Sequence, residues 1–242
     1  MSTKRQQIEV RGLPIEVVRK DIKNLHVGVY PPGGRVRVAA PLRLGDDAVR
    51  LAVISRLGWI RRQQADFEQQ GRQSQRELAT GESHYFQGRR YRLDVIEHDG
   101  PPSVCLPSNT TMEMRVRPEA KRDKREAVLQ QWYRGRLRAQ IRPLLDKWET
   151  KVGVMVAEVC IKRMKTRWGS CNAPARRIWL NLELVKKSPS CLEYILVHEM
   201  VHFLERRHNE RFRELMDTLM PTWRLCREEL NRAPLAHDEW RY

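Results

Sequence analysis

The sequence predicts an α+β protein in which a β-rich N-terminal part, residues 1–118, packs on a helix-rich C-terminal part, residues 119–242. Three observations predict it. Short runs of β-branched residues punctuated by Pro and Gly fill most of the first 117 residues, the apolar period changes to a helical one at Pro118, and two helical segments close the chain. With 242 residues there is enough chain for one large core or two small ones. Neither an internal repeat nor a low-complexity linker is visible, so the boundary rests on the change of period.

Taken in order, Ile15–Val18, Val27–Tyr30 and Arg35–Val38 read as strands, and Pro31-Pro32-Gly33-Gly34 as the turn between the last two. A small antiparallel sheet is expected there. Residues 46–70 follow as a helix, with Val49, Val53, Leu57 and Ile60 on one face and Gly45-Asp46 at its start. Tyr91–Ile96 and Ser103–Leu106 flank the turn Asp99-Gly100-Pro101-Pro102, which predicts a second hairpin. Residues 119–149 then form a long basic helix carrying Val128, Trp132, Leu137, Ile141, Leu144, Leu145 and Trp148, with a kink expected at Pro143. Residues 153–161 and 178–184 read as strands around a loop, Trp168 to Pro174, and residues 190–206 and 209–231 as the closing helices.

Composition limits the classes of function. The chain has 46 Lys plus Arg against 30 Asp plus Glu, a net charge of +16, which admits nucleic acid, an anionic surface or a polyanionic small substrate without choosing among them. No apolar run is long enough for a membrane span and the first residues lack the core of a signal peptide, so a soluble, cytoplasmic protein is expected. The five cysteines, Cys105, Cys160, Cys171, Cys191 and Cys226, are scattered and odd in number, which predicts reduced thiols.

The chemistry lies in His198-Glu199-Met200-Val201-His202, inside an apolar helix. Four residues of helix advance about 6 Å and turn about 400°, so both imidazoles lie on one face, within reach of a single cation. This is the His-Glu-x-x-His zinc signature, and Glu199 stands where it can accept a proton from water at the metal. A catalytic zinc takes a third protein ligand. His208 is the candidate, provided that the helix stops near Arg206 and Asn209-Glu210 starts a new one that swings it back; Glu205, Glu210 and Glu214 are the other candidates. Two histidines at this spacing also occur on solvated helix faces. Here Leu192, Ile195, Leu196, Val201, Phe203 and Leu204 predict burial, and buried imidazoles beside a carboxyl are costly without a metal. Imidazole ligands in small number favour zinc.

Upstream and downstream residues extend the pattern. Arg167-Trp168-Gly169-Ser170-Cys171, Ile178-Trp179-Leu180-Asn181, Tyr194 to His202, His208-Asn209-Glu210-Arg211-Phe212 and Met220-Pro221-Thr222-Trp223 together resemble the YgjP-like metallopeptidase family, relatives of the SprT-type proteases. Ala40-Pro41, Trp59-Ile60 and Gln87-Gly88-Arg89-Arg90-Tyr91 look like that family as well, so the resemblance spans essentially the whole chain. It implies a zincin-like catalytic part, one zinc ion held by His198, His202 and His208, Glu199 as catalytic acid/base, and a peptide or protein substrate.

The expected reaction is therefore peptide-bond hydrolysis by metal-activated water, with Glu199 moving the proton. Two rivals use the positive charge: a metal-dependent nucleoside triphosphate pyrophosphohydrolase, and a protease acting on nucleic-acid-associated proteins. Cys171 is expected to pack or to inhibit rather than to ligate, and Asn181 to touch a substrate backbone from an edge strand. The basic residues between 121 and 142 read as a solvated helix face. His26, His84, His98 and His237 have no spaced partners and read as surface residues.

Overall fold

The computed structural model describes residues 4–30, 34–69, 77–164 and 167–232. The chain is α+β, and its compact units part between residues 72 and 73. The change of period at Pro118 lies inside the second unit, where the last strand before it gives way to the long helix. Each unit is built from its own sequence pattern.

In the first unit, strands β1 (Lys4–Val10), β2 (Leu13–Lys20), β3 (His26–Tyr30) and β4 (Arg35–Pro41) form one sheet in the order β1-β2-β4-β3. The alternation of β4 places Val36, Val38 and Ala40 inward and leaves Arg35 exposed, the period of a half-buried strand. Helices α1 (Asp46–Ile54) and α2 (Leu57–Gln69) cover that core with Val49, Val53 and Ile60, all 0% exposed. The expected antiparallel sheet is mixed instead, because β2 and β4 run parallel. The Arg11-Gly12 turn specifies the hairpin β1–β2 but not which strand fills the centre of the sheet; Pro31, Pro32 and Gly33, expected as a turn, lie outside the described residues. The single helix expected over 46–70 is broken at Ser55 and Arg56, where the Ser55 hydroxyl bonds back to the Ala52 carbonyl at 3.0 Å and competes with the helical ladder.

The second unit opens with the same topology. Strands β5 (Ser83–Phe86), β6 (Arg89–Glu97), β7 (Ser103–Cys105) and β8 (Thr111–Val116) lie in the order β5-β6-β8-β7, again with the second and fourth strands parallel. The two opening hairpins even share their turn: Arg11-Gly12 and Gln87-Gly88 both have positive φ at both positions (49° and 79°; 49° and 78°), the mirror-image turn whose twist suits a two-residue hairpin. The hairpin expected between Tyr91–Ile96 and Ser103–Leu106 does not form, since β8 takes the place beside β6 and β7 pairs on its far side. His84, expected at the surface, is 2% exposed on β5, 3.6 Å from Glu82. His26 is exposed, and His237 lies outside the described residues.

Helix α3 (Arg122–Val152) runs through Pro143 without interruption and ends where Gly153 adopts φ 72°, the left-handed cap that a residue without Cβ takes at least cost. Leu129, Tyr133, Leu137, Ile141, Trp148 and Val152 form its buried ridge, while Arg136, Arg138 and Arg142 are exposed on the solvated face. A three-stranded sheet follows, β10 (Gly169–Asn172), β11 (Arg177–Asn181) and β9 (Glu158–Lys162) in that order, with β11 in the middle. The segment expected as a loop over 168–174 thus contains an edge strand. A short 3₁₀ helix (Leu182–Lys186) replaces the end of the expected strand, started by the Asn181 side chain accepting from the Glu183 N–H. Helices α4 (Pro189–Val201), α5 (Glu210–Leu219) and α6 (Trp223–Arg232) complete the unit. The expected helix over 209–231 is two, because Pro221 lacks the N–H that would continue α5. Among the described residues no helix is long and apolar enough to cross a membrane.

Candidate metal centre and cleft

Helix α4 is apolar on every side, and Leu192, Leu196, Val197, Met200 and Val201 are at most 1% exposed, so its polar residues enter an environment that water does not reach freely. Pro189 at its first turn suits a position whose N–H has no helical partner. The helix ends at Val201, earlier than Arg206. Tight turns from Phe203 to Met200 (3.0 Å) and Leu204 to Val201 (2.9 Å) reverse the chain. Helix α5 then starts at Asn209, whose side chain accepts from the Phe212 N–H at 3.0 Å.

This break brings His208 back to the first two histidines. Its Nε2 lies 3.0 Å from the Nε2 of His202 and 3.0 Å from the Nε2 of His198. The three form the group of potential metal-ligating atoms found among the described residues. Glu205, Glu210 and Glu214 are not in that group.

The nitrogens fit a cation. At His202 the other ring nitrogen, Nδ1, lies 3.0 Å from the Glu205 carbonyl; a carbonyl only accepts, so Nδ1 carries the proton and Nε2 presents a lone pair. Burial holds the rings neutral: it pushes His198 down to about 3, helped by His202, His208 and Arg227, and lowers His202 and His208 as well. Three neutral imidazoles in a triangle cannot satisfy one another's lone pairs. Zinc–nitrogen bonds of about 2.0–2.1 Å in tetrahedral geometry separate ligand nitrogens by about 3.3 Å, close to the 3.0 Å that separates His208 Nε2 from each of the other two.

Two residues that spacing arguments missed complete the surroundings. Phe212, 2% exposed on α5, lies with its ring centre 4.9, 4.7 and 4.8 Å from those of His198, His202 and His208, so one apolar ring backs all three. In the sequence it appears only as the last residue of the His208-to-Phe212 segment. Gly169 on β10 approaches Glu199 so closely that a Cβ there would lie 2.7 Å from Oε1, and a glycine inside a strand is the sequence sign of such an approach.

Glu199 is 6% exposed, and burial raises its carboxyl to about 7 against the lowering effects of a hydrogen bond from Cys171 and the charge of Arg167. Cys171 is pushed up to about 12, by burial first and then by Glu199. Asn181 does not face a substrate: it is 0% exposed on the central strand, and its side chain binds the backbone of Met164, Arg167 and Glu183. A cleft of about 860 Å³ opens onto the histidines and Glu199, walled by β10, Trp179, Arg167 and Arg206.

No curated protein matches the chain. Among solved structures it is similar to the metallopeptidase zymogens abylysin of Pyrococcus abyssi and jannalysin of Methanocaldococcus jannaschii, each at 21% identity, with TM-scores of 0.34 and 0.33, covering 38% of this chain and 90% and 84% of theirs. The family model for the YgjP-like metallopeptidase domain matches residues 23–233, nearly the whole chain. The chain belongs to the YgjP-like metallopeptidase family.

Proposed function

We propose that the protein is a zinc-dependent peptidase in which His198, His202 and His208 hold one zinc ion through Nε2 and Glu199 is the general acid/base. The observation that carries the reading is the convergence of three neutral ring nitrogens, with His208 Nε2 3.0 Å from each of the other two, in the lining of a cleft that also contains a buried carboxyl. When bound, zinc supplies Lewis acidity, which polarises a carbonyl and brings the acidity of water toward neutrality. Glu199, buried beside the histidines in the same cleft, takes a proton from the attacking water and returns it to the leaving amine. Strand β10 has a sheet neighbour on one side only among the described residues, and the free edge of such a strand pairs with extended peptide backbone. That edge favours a peptide over a nucleotide.

The experiment measures bound zinc and peptide hydrolysis for the wild type, Glu199→Gln and His202→Ala, with pyrophosphate release from nucleoside triphosphates as a parallel arm. Glu199→Gln is expected to keep about one zinc and lose about 10²–10⁴-fold in turnover, and His202→Ala to lose both. Chelation with 1,10-phenanthroline should abolish hydrolysis and added zinc restore it. Wild-type turnover by Glu199→Gln removes the mechanism, and pyrophosphate release without peptide cleavage replaces the substrate.

A further inference from the structure

We propose that the strand Gly169-Ser170-Cys171 is the seat that holds the Glu199 carboxyl in its working position, with Gly169 and Cys171 as positioning residues. The inference rests on the reading of Glu199 as acid/base. It also gives a task to the Trp-Gly-Ser-Cys segment.

Successive side chains of a strand point to opposite faces, so positions 169 and 171 share one face of β10 while Ser170 takes the other. On α4, Ile195 and Glu199 are four residues apart and lie one above the other. These two faces meet. A Cβ at position 169 would stand 2.7 Å from Glu199 Oε1 and 2.8 Å from Ile195 Cγ2, closer than Cβ contacts come, and a tight 3.0 Å from Glu199 Cγ. Two of these three atoms belong to Glu199 itself. The glycine is not there for backbone freedom, because Gly169 is absent from the residues with positive φ, as expected of a regular strand position paired with Leu180. What the position requires is the missing methyl group.

Two positions further on, on the same strand face, Cys171 lines the cleft together with Glu199, and each shifts the other, the thiol up and the carboxyl down, as a thiol placed to donate to that carboxyl would. Its Sγ is not part of the cation-binding group formed by the three histidines. With its pKa pushed up by burial and by Glu199, the sulfur stays a protonated donor at neutral pH rather than a thiolate nucleophile. One strand face thus supplies an empty space that admits the carboxyl and a donor that orients it. The neighbouring Asn181 fixes where that strand begins, by binding the Met164 and Arg167 carbonyls at 2.9 and 2.8 Å.

The test compares zinc-loaded wild type with Gly169→Ala, Cys171→Ala, Cys171→Ser and Glu199→Gln for zinc content, kcat and KM on one peptide. A displacement of about 1 Å at a reacting group costs about 100-fold, so Gly169→Ala should lose about that in kcat while keeping its zinc and KM. Cys171→Ala should lose about 10-fold, the worth of a hydrogen bond to a charged group, and Cys171→Ser, which restores a donor, should recover most of it. The Cys171 pair decides the question by itself should the added methyl prevent folding. A readout without turnover is the alkylation rate of Cys171 in metal-free protein, followed by peptide mass spectrometry: Glu199→Ala should raise it several-fold, and an unchanged rate overturns the coupling. Wild-type kcat in Cys171→Ala with Glu199→Gln inactive overturns the seat alone, whereas wild-type kcat in Glu199→Gln overturns the reading on which it stands.

Discussion

Replacing Asn181 by alanine removes a side chain that is 0% exposed and engaged at both ends of its amide. Nδ2 donates to the carbonyls of Met164 (2.9 Å) and Arg167 (2.8 Å), and Oδ1 accepts from the N–H groups of Met164 (3.3 Å) and Glu183 (3.2 Å). Each such bond contributes about 1 kcal/mol net, so losing all four costs about 4 kcal/mol. Stranded buried backbone groups raise that figure, and water entering the vacated space lowers it. At roughly 2–4 °C per kcal/mol for a chain of this size, the melting temperature should fall by roughly 8–16 °C. Urea unfolding followed by tryptophan fluorescence measures the loss. Asn172→Ala is the control, because that exposed side chain accepts a single bond from the Ala175 N–H at 3.2 Å and should cost within about 0.5 kcal/mol. A loss below about 1 kcal/mol for Asn181→Ala, or equal losses for both variants, refutes the argument that this amide clamps the approach to β10.

Two further predictions concern the walls of the site. Phe212→Ala should weaken binding of the proposed zinc about 10–100-fold and lower stability by about 3–5 kcal/mol, since the ring that backs all three imidazoles is replaced by a cavity; unchanged affinity in a competitive zinc titration would contradict this. Asp217 accepts from the Trp223 indole at 2.7 Å and pairs with Arg224, and these hold its carboxyl below the ordinary 3.8. The stabilisation is full above the unfolded value and is lost as the pH falls through the lower folded value. The stability gap between wild type and Asp217→Asn should therefore be constant from neutral pH to about 5 and close below 3.8, as urea unfolding across that range would report; a gap that persists at pH 2 would show that the ionised carboxyl is not its source.

What could be read from the sequence was what a few adjacent residues impose on one another. Positions 198 and 202 share a helix face by the geometry of the helix alone, and Asn209 announces a new helix because its side chain caps the third residue after it. The structure departs from these expectations where a local signal competes with the apolar period or does not exist. Pro221 interrupts a stretch, 209–231, whose apolar period alone predicts one helix, whereas no local signal tells that β8 enters between β6 and β7 or that residues 169–172 form an edge strand. Gly169 and Cys171 looked like parts of a loop because their strand is defined by a partner, β11, that follows only after a turn.

By itself the sequence determined the α+β class, the family and the shared face of His198 and His202 on α4, because helix period, capping and residue chemistry act over fewer than about five positions. Only the tertiary structure decided that His208 comes within 3.0 Å of both partners, that Phe212 backs the three rings, and that Asn181 serves the backbone rather than a substrate. Those contacts join segments separated by turns or by whole strands. Their geometry is set by packing against partners that no local pattern names.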